Sequence, residues 1–221
     1  LSNHHQDCFS CASNGVCELQ KVCNDYGVAH STFDGSRYKI ESEEKNSNPF
    51  LGYRPTLCIH CHRCVNTCAK VSGRNAIKVG NAPFGPDWES TACESCGNCA
   101  EACPTGALYK KEARNYRSWE VRRVRTTCPH CAVGCQYDLL VKGNKIVGVE
   151  GADGPSNHGR LCVKGRFGSY KFVMSGDRIT DPLIKDKATG KFRKAGWDEA
   201  LDLVASKFMQ LKKEYGPDSL A

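Results

Sequence analysis

Sixteen cysteines in a chain of 221 residues are the side chains best suited to chemistry. Two stretches, CIHCHRCVNTC at 58–68 and CESCGNCAEACP at 93–104, repeat the spacing C-x2-C-x2-C-x3-C. Two-residue gaps let a tight loop present three thiolates to one compact metal centre, whereas disulfide pairing does not call for such gaps. The repeat therefore predicts metal ligation, and thiolate ligands indicate a reducing compartment, for which the cytoplasm is the default.

The repeated region, 51–112, resembles the bacterial ferredoxins that hold two [4Fe-4S] clusters. In such proteins three cysteines of one repeat and the last cysteine of the other repeat bind each cluster. Pro104 follows its cysteine as in that signature, whereas Ala69 stands at the equivalent place of the first repeat. A pair of zinc sites is the alternative, although zinc favours separated C-x2-C pairs. The implied ligand sets are Cys58, Cys61, Cys64 and Cys103 for one cluster and Cys93, Cys96, Cys99 and Cys68 for the other.

The N-terminus carries a different spacing, H-x3-C-x2-C-x5-C followed by ELQ. It resembles the histidine-ligated [4Fe-4S] module of the complex I large subunit, iron-only hydrogenases and NAD-linked formate dehydrogenases. His5 is the rival ligand, with a gap one residue shorter, and a pair of surface histidines is the alternative. Cys23 is left over; six residues after Cys17 on a helix, it is predicted to be a buried thiol and not a ligand. The implied ligands are His4, Cys8, Cys11 and Cys17.

A fourth group combines CPHCAVGC at 128–135 with LCVKG at 161–165. The segments 136–141 and 145–150 around KGN predict a β-hairpin between them, and residues 197–216 predict an amphipathic helix with Leu201, Val204, Phe208 and Leu211 on one face. With DPLI at 181–184, residues 126–221 resemble the molybdenum or tungsten bis-pterin oxidoreductases, formate dehydrogenases above all. A zinc site is the alternative for this group. The ligand set is Cys128, Cys131, Cys135 and Cys162, and the resemblance implies that Lys164 lies between cluster and pterin, although it could be a surface lysine.

The predicted fold class is α+β, as a chain of iron–sulfur modules. We expect a small helical histidine-ligated module with its linker (1–50), a ferredoxin-like domain with two clusters (51–112) and a connector (113–125). A β-hairpin [4Fe-4S] domain (126–183) then leads into an incomplete α/β pterin-binding domain (184–221). The polar segment 41–52 is interpreted as a linker or surface loop and NAPFGP at 81–86 as part of a long loop. The charged stretch 110–125 is predicted to be a helix or a solvated face.

This order of modules resembles the catalytic subunit of NAD(P)-linked or electron-bifurcating formate dehydrogenases. It implies an electron relay through four [4Fe-4S] clusters. A Mo or W bis-(guanine dinucleotide) pterin is expected in the full subunit, where it oxidises formate or reduces CO2. The implied partners are flavin- and iron–sulfur-containing subunits linked to NAD(P) or ferredoxin. The alternative is a non-catalytic electron-transfer subunit of a complex I-like or hydrogenase complex.

No counterpart of that family's selenocysteine or cysteine metal ligand, nor of its substrate-side His and Arg, is found in residues 163–221. We therefore expect no catalytic residue in this stretch, and expect it to be a fragment of a larger subunit or a subunit that only relays electrons. The net charge of +7 offsets the negative charge of thiolate clusters, so nucleic-acid binding is not predicted. No apolar run approaches the length of a membrane span.

Overall fold

The computed structural model describes Leu1, His4 and residues 7–32, 47–79, 85–86 and 91–220. They form two compact units, 1–174 and 175–221. Helices and antiparallel strand pairs alternate along the chain, in agreement with a mixed helix and strand class. Residues 41–46 of the polar segment and 81–84 of the predicted loop lie outside the described residues.

The helices and strands are short, except for the last helix. The helices are α1 Glu18–Asp25, α2 Arg63–Asn66, α3 Asn98–Glu101 and α4 Trp197–Tyr215. A wide helical turn, Thr67–Val71, continues α2, and another spans Lys164–Gly168. The strands are β1 Leu51–Tyr53, β2 Ile77–Lys78, β3 Gly85–Pro86, β4 Leu108–Lys110, β5 Arg122–Thr127, β6 Gln136–Lys142, β7 Lys145–Gly151, β8 Leu183–Lys185 and β9 Phe192–Lys194.

Strand β1 pairs antiparallel with β4 and so joins the two ends of the cysteine repeat. This corrects the interpretation of 41–52 as a linker or surface loop at its C-terminal end, because Leu51 is 1% exposed. Asn48, also buried, accepts hydrogen bonds from the amides of Phe50 and Leu51 at 2.9 and 3.0 Å. A polar side chain thus satisfies the backbone where the strand begins, and the polar sequence concealed the buried strand. Gly85–Pro86, predicted as loop, pairs with Ile77–Lys78.

The charged stretch 110–125 does not form one continuous helix, so the helix alternative is wrong, whereas its mostly exposed or half-buried side chains agree with the solvated alternative. Two single tight turns, Lys111–Asn115 and Ser118–Glu120, precede β5. The arginines of β5 meet acidic residues across the sheet, with Arg123 donating to Glu150 at 2.9 Å and Arg125 to Asp138 at 2.6 Å. The alternation of charge therefore reflects cross-strand pairs and not a solvated helix face.

The predicted hairpin is confirmed, since β6 and β7 pair antiparallel around the turn at Gly143 and Asn144. Strand β5 adds to β6, which makes a three-stranded sheet in the order β5-β6-β7. Tyr137 and Val149 of this sheet pack in one hydrophobic cluster with Leu161, Tyr170 and Cys128. A sulfur atom therefore lies within this small core.

The second unit contains the β8–β9 hairpin and α4, which confirms the predicted C-terminal helix. The helix ends where Gly216 takes a φ of +86°, a backbone conformation that favours glycine. Leu201, Val204 and Phe208 of the predicted apolar face are exposed, and Leu211 is half-buried. Among the described residues, no helix combines the length and apolar character needed to cross a membrane.

We expect Asn157→Ala to lower the free energy of unfolding by about 2 kcal/mol or more, because buried polar groups lose their partners. The buried amide of Asn157 donates to the carbonyls of Gln136, Ala152 and Arg160 at 3.0, 3.0 and 3.1 Å, and its oxygen accepts from the Gln136 amide at 2.9 Å. Urea unfolding of the holoprotein measures the change. The matched control is Asn144→Ala, on the exposed hairpin turn, with an expected change within about 0.5 kcal/mol; equal effects of the two variants would contradict the prediction.

Candidate metal centres

The N-terminal cysteines lie on consecutive turns that lead into α1. Burial raises the pKa of the Cys17 thiol, the amides of Gln20 and Leu19 at the start of the helix oppose that rise, and the nearby Cys11 and Cys8 thiols add to it. The three thiols therefore face one another. His4 is half-buried with Nδ1 shielded from solvent, and its role as the fourth ligand stays a prediction. His5 lies outside the described residues. We call His4, Cys8, Cys11 and Cys17 the first centre.

The first repeat and the last cysteine of the second repeat surround one pocket. Burial raises the pKa of Cys64 to about 12, with Cys103, Cys58 and Cys61 close enough to raise it further against the opposing amide of Val65. The amides of His60 and Leu108 point at the sulfurs of Cys58 and Cys103 at 3.4 and 3.5 Å. We call Cys58, Cys61, Cys64 and Cys103 the second centre.

The second repeat and Cys68 surround another pocket. Burial raises the pKa of Cys99, as do the neighbouring Cys96, Cys64, Cys68 and Cys93 thiols in that order. The Ala76 amide points at the Cys68 sulfur at 3.3 Å, and the Ser72 hydroxyl lies 3.7 Å from that of Cys96. Because Cys64 of the second centre packs in the same buried cluster as Cys68 and Cys99, the two pockets adjoin. We call Cys68, Cys93, Cys96 and Cys99 the third centre.

The two repeat loops share an uncommon backbone conformation. In the first loop His60 and His62 have φ of +55° and +60°, and at the equivalent positions of the second loop Ser95 and Gly97 have +54° and +78°. Left-handed residues between right-handed ones turn successive amides inward, which makes a cavity suited to an anionic iron–sulfur group. Both loops therefore fit a thiolate cluster by their donor set and by their backbone.

The fourth group meets at the end of the three-stranded sheet. Cys128 follows β5, Cys135 precedes β6, and the Cys128 amide donates to the Cys135 carbonyl at 2.8 Å. Burial raises the pKa of Cys135, and Cys128, Cys131 and Cys162 raise it further. A β-carbon added at Gly165 would lie 3.6 and 3.9 Å from the sulfurs of Cys128 and Cys162, so both sulfurs face that glycine. We call Cys128, Cys131, Cys135 and Cys162 the fourth centre.

Lys164, the residue implied to lie beside a pterin, is exposed and opens the wide turn that follows Cys162. It lies two residues after Cys162 of the fourth centre, and its place beside a pterin stays a prediction. Cys23 is half-buried on α1, which is less burial than predicted. All sixteen cysteines belong to the described residues and carry free thiols.

A site for one metal ion needs at least three ligand side chains around a single point. Among the described residues, no three His, Cys, Asp or Glu side chains lie close enough together to hold one metal ion. The donor sets and the loop backbones favour clusters over single ions.

The segment after Cys103 links the first and second centres. The Pro104 carbonyl accepts from the Glu18 amide at 2.9 Å, and the Thr105 carbonyl accepts from the Ser13 hydroxyl at 3.2 Å. A β-carbon at Gly106 would lie 2.7 Å from the Cys11 sulfur, so only a glycine permits this approach. Arg117 donates to the carbonyls of Cys11 and Phe9, at 2.7 Å each.

Arg166 links the third and fourth centres and was not predicted from the sequence. Its Nε donates to the Cys96 carbonyl at 2.7 Å, and its backbone amide donates to the Cys162 carbonyl at 3.0 Å. A basic residue shortly after a ligand is ordinarily a surface residue, so the sequence held no signal for its burial. Phe167 next to it stacks on Phe50 with ring centroids 4.6 Å apart.

Four family models match consecutive parts of the chain, in the order of the cysteine groups. The NADH-ubiquinone oxidoreductase-G iron-sulfur binding region matches residues 1–32 and the 4Fe-4S dicluster domain matches 57–107. The molybdopterin oxidoreductase Fe4S4 domain matches 121–173 and molybdopterin oxidoreductase matches 178–221.

The chain is also similar over its whole length to curated oxidoreductases. It is 34% identical over 229 residues to the NADPH-Fe(3+) oxidoreductase subunit alpha of Geobacter sulfurreducens, covering 100% of the chain and 26% of that relative. It is 30% identical over 270 residues to a putative formate dehydrogenase of Staphylococcus aureus and 31% identical over 277 residues to a probable oxidoreductase of Bacillus subtilis, covering 100% of the chain and 27% of each. The chain thus spans about a quarter of the length of these relatives.

A solved structure of an NAD+-reducing [NiFe]-hydrogenase in the H2-reduced state gives a TM-score of 0.42 at 25% identity, over 50% of either chain. That similarity is too weak to support a shared fold. The sequence matches are stronger, since two iron–sulfur models are followed by two molybdopterin oxidoreductase models along one chain. The chain is therefore similar, in consecutive regions, to the iron–sulfur domains and to the molybdopterin domain of molybdopterin oxidoreductases.

Proposed function

We propose that the chain relays electrons within a formate dehydrogenase, with one [4Fe-4S] cluster at each of the four centres. When bound, the clusters accept and release single electrons, and a Mo or W bis-(guanine dinucleotide) pterin in the complete subunit supplies the chemistry for formate and CO2. The observation that carries the proposal is the unbroken contact between successive centres. Pro104 to Gly106 join the first and second, the buried cluster that contains Cys64, Cys68 and Cys99 joins the second and third, and Arg166 joins the third and fourth.

The residues of this chain would hold the clusters in position and stabilise the charge of their thiolate ligands. The loop amides at Cys58, Cys68, Cys103 and Cys162 direct N–H groups at sulfur, and such bonds stabilise a thiolate in a poorly solvated site. At least one cysteine in the first, second and fourth centres is exposed, namely Cys8, Cys61, Cys131 and Cys162. The first and fourth centres, at opposite ends of the series, would thus be accessible to a partner and to the pterin.

The proposed partners are flavin- and iron–sulfur-containing subunits linked to NAD(P) or ferredoxin. Two sequence matches support them, the NADH-ubiquinone oxidoreductase-G region at residues 1–32 and the relative named NADPH-Fe(3+) oxidoreductase subunit alpha. We place the complex in the cytoplasm, because thiolate ligands of metal clusters indicate a reducing compartment.

The same two matches favour a second candidate, an electron-transfer subunit that serves an NADPH-linked or complex I-like enzyme and does not act on formate. The two candidates predict the same iron content and differ in the substrate that reduces the clusters.

We expect the full-length protein, purified anaerobically, to contain about 16 Fe attributable to the four centres and about one Mo or W, and to be bleached by formate. Elemental analysis and absorbance near roughly 400 nm measure these properties. About 16 Fe with no bleaching by formate but bleaching by NADPH through a partner would favour the second candidate. A colourless protein that contains zinc would contradict both.

The ligands of the second and third centres are tested by crossed cysteine variants. Cys103→Ser is expected to alter the same EPR signal as Cys64→Ser, and Cys68→Ser the same signal as Cys99→Ser, because each pair lines one pocket. Cys23→Ser is the matched control and should retain all iron. If Cys68→Ser altered the Cys64 signal instead, each repeat would hold its own cluster and the crossed assignment would be wrong.

The role of Lys164 is tested by Lys164→Gln. Because Lys164 is exposed and lies two residues after Cys162 of the fourth centre, the loss of its amino group is expected to slow formate-dependent cluster reduction more than about tenfold while iron content stays unchanged. Lys145→Gln, at the exposed hairpin turn, is the control. Stopped-flow absorbance gives the rate of cluster reduction. A rate equal to that of the control variant would show that Lys164 is a surface lysine without a role in this reduction.

A further inference from the structure

Arg166 is a charged side chain with no exposure to solvent. Its side chain is 0% exposed and is the largest of the fully buried side chains of the described residues. A buried guanidinium is retained only when other groups replace its water, because an uncompensated buried charge costs several kcal/mol. The groups that surround Arg166 therefore indicate its role.

Those groups belong to the loops of two different centres. Within the fourth centre, the backbone amide of Arg166 donates to the Cys162 carbonyl at 3.0 Å. Within the third, Nε donates to the Cys96 carbonyl at 2.7 Å and Nη2 donates to Asn98 Oδ1 at 2.9 Å. Asn98 Oδ1 also accepts from the Leu161 amide at 3.3 Å. One residue thus holds the carbonyls of two proposed ligand cysteines from adjacent centres.

The approach of Arg166 to the third centre requires a glycine between the ligands. Gly97, which stands between Cys96 and Asn98, has a φ of +78°, and a β-carbon there would lie 2.6 Å from Arg166 Cδ and 2.8 Å from Nε. The left-handed turn that orients the amides of the loop also leaves the space that the guanidinium occupies.

The buried contacts of Arg166 include a carboxylate that it shares with a second cation. Glu101 lies between Arg166 Nη1 at 2.6 Å and Lys110 Nζ at 3.2 Å, and the Glu101 side chain is 17% exposed. Two cations therefore share the Glu101 carboxylate beside the third centre.

We propose that Arg166 is a positioning residue that clamps the loops of the third and fourth centres together and, by its buried charge, favours the reduced state of the third centre. The inference rests on the proposed function, since Cys96 and Cys162 must be cluster ligands. A positive charge in a poorly polarisable surrounding stabilises the more negative oxidation state of a nearby group. Arg166 would thereby keep the third centre able to accept electrons from the neighbouring centres.

The experiment is an EPR-monitored redox titration of the anaerobically purified holoprotein and its variants. Arg166→Gln is expected to lower the reduced fraction of the third centre at fixed potential about tenfold, which is about 59 mV for one electron. Arg166→Lys, which keeps the charge, is expected to restore most of that fraction. Glu101→Gln removes the compensating carboxylate and is expected to change the reduced fraction in the opposite direction.

Two matched arginines serve as controls. Arg125→Gln removes one positive charge from the sheet surface and should leave every potential unchanged. Arg117 also donates to the carbonyl of a proposed ligand, Cys11, so Arg117→Gln should affect the first centre and not the third. A shift in potential that is confined to the third centre therefore cannot result from the loss of one positive charge at an arbitrary position.

The outcomes separate the inference from the proposed function. A wild-type protein without four clusters overturns the proposed function. Four clusters with potentials unaltered by Arg166→Gln overturn the role of Arg166 alone, as does an Arg166→Lys variant that behaves like the Gln variant. If Arg166→Gln fails to retain the third cluster, the Glu101→Gln variant tests the electrostatic role instead. A raised reduced fraction of the third centre in that variant supports the role, and an unchanged or lowered fraction refutes it.

Discussion

The rest of the structure depends on the convergence of thiols into small pockets whose walls are backbone. Cys64, Cys68 and Cys99 are buried members of the same hydrophobic cluster as Leu51 and Leu108. In a chain with only 40% hydrophobic residues, sulfur atoms occupy positions that aliphatic side chains fill elsewhere. Burial raises the pKa of Cys64 and Cys99, because a charged thiolate is poorly solvated in such a cluster.

The pockets form because short loops direct amides inward. The same pair of left-handed positions recurs in both repeats, at His60 and His62 and again at Ser95 and Gly97. Left-handed conformations are unfavourable for most residues, so the loops must gain from what they enclose. The helical segment with Cys68 and the segment with Cys103 then exchange their last cysteines between the repeats.

Polar contacts join the centres in addition to the hydrophobic cluster that the second and third centres share. Arg117 holds the first loop, the carbonyls after Cys103 hold the start of α1, and Arg166 holds the third loop against the fourth. In each contact a backbone carbonyl close to a proposed ligand accepts the hydrogen bond. The loop is therefore held in place while the cysteine sulfur stays available as a ligand. Such contacts orient ligands and adjust the electronic properties of a metal group. A relay needs constant geometry between its centres, and these bonds provide it.

The amino-acid sequence by itself determined the four groups of cysteines, the repeat, the hairpin at 136–151 and the helix at 197–215. Spacing and periodicity are local properties, which a sequence displays directly. Only the tertiary structure decided that Asn48 opens a buried strand, that the arginines of β5 pair across a sheet and that the first and second centres adjoin. It also decided that Arg166 is buried, because the partners of its guanidinium lie about 70 positions earlier in the chain. A side chain's burial is set by distant segments that pack on it, and no local pattern around residue 166 contains that information.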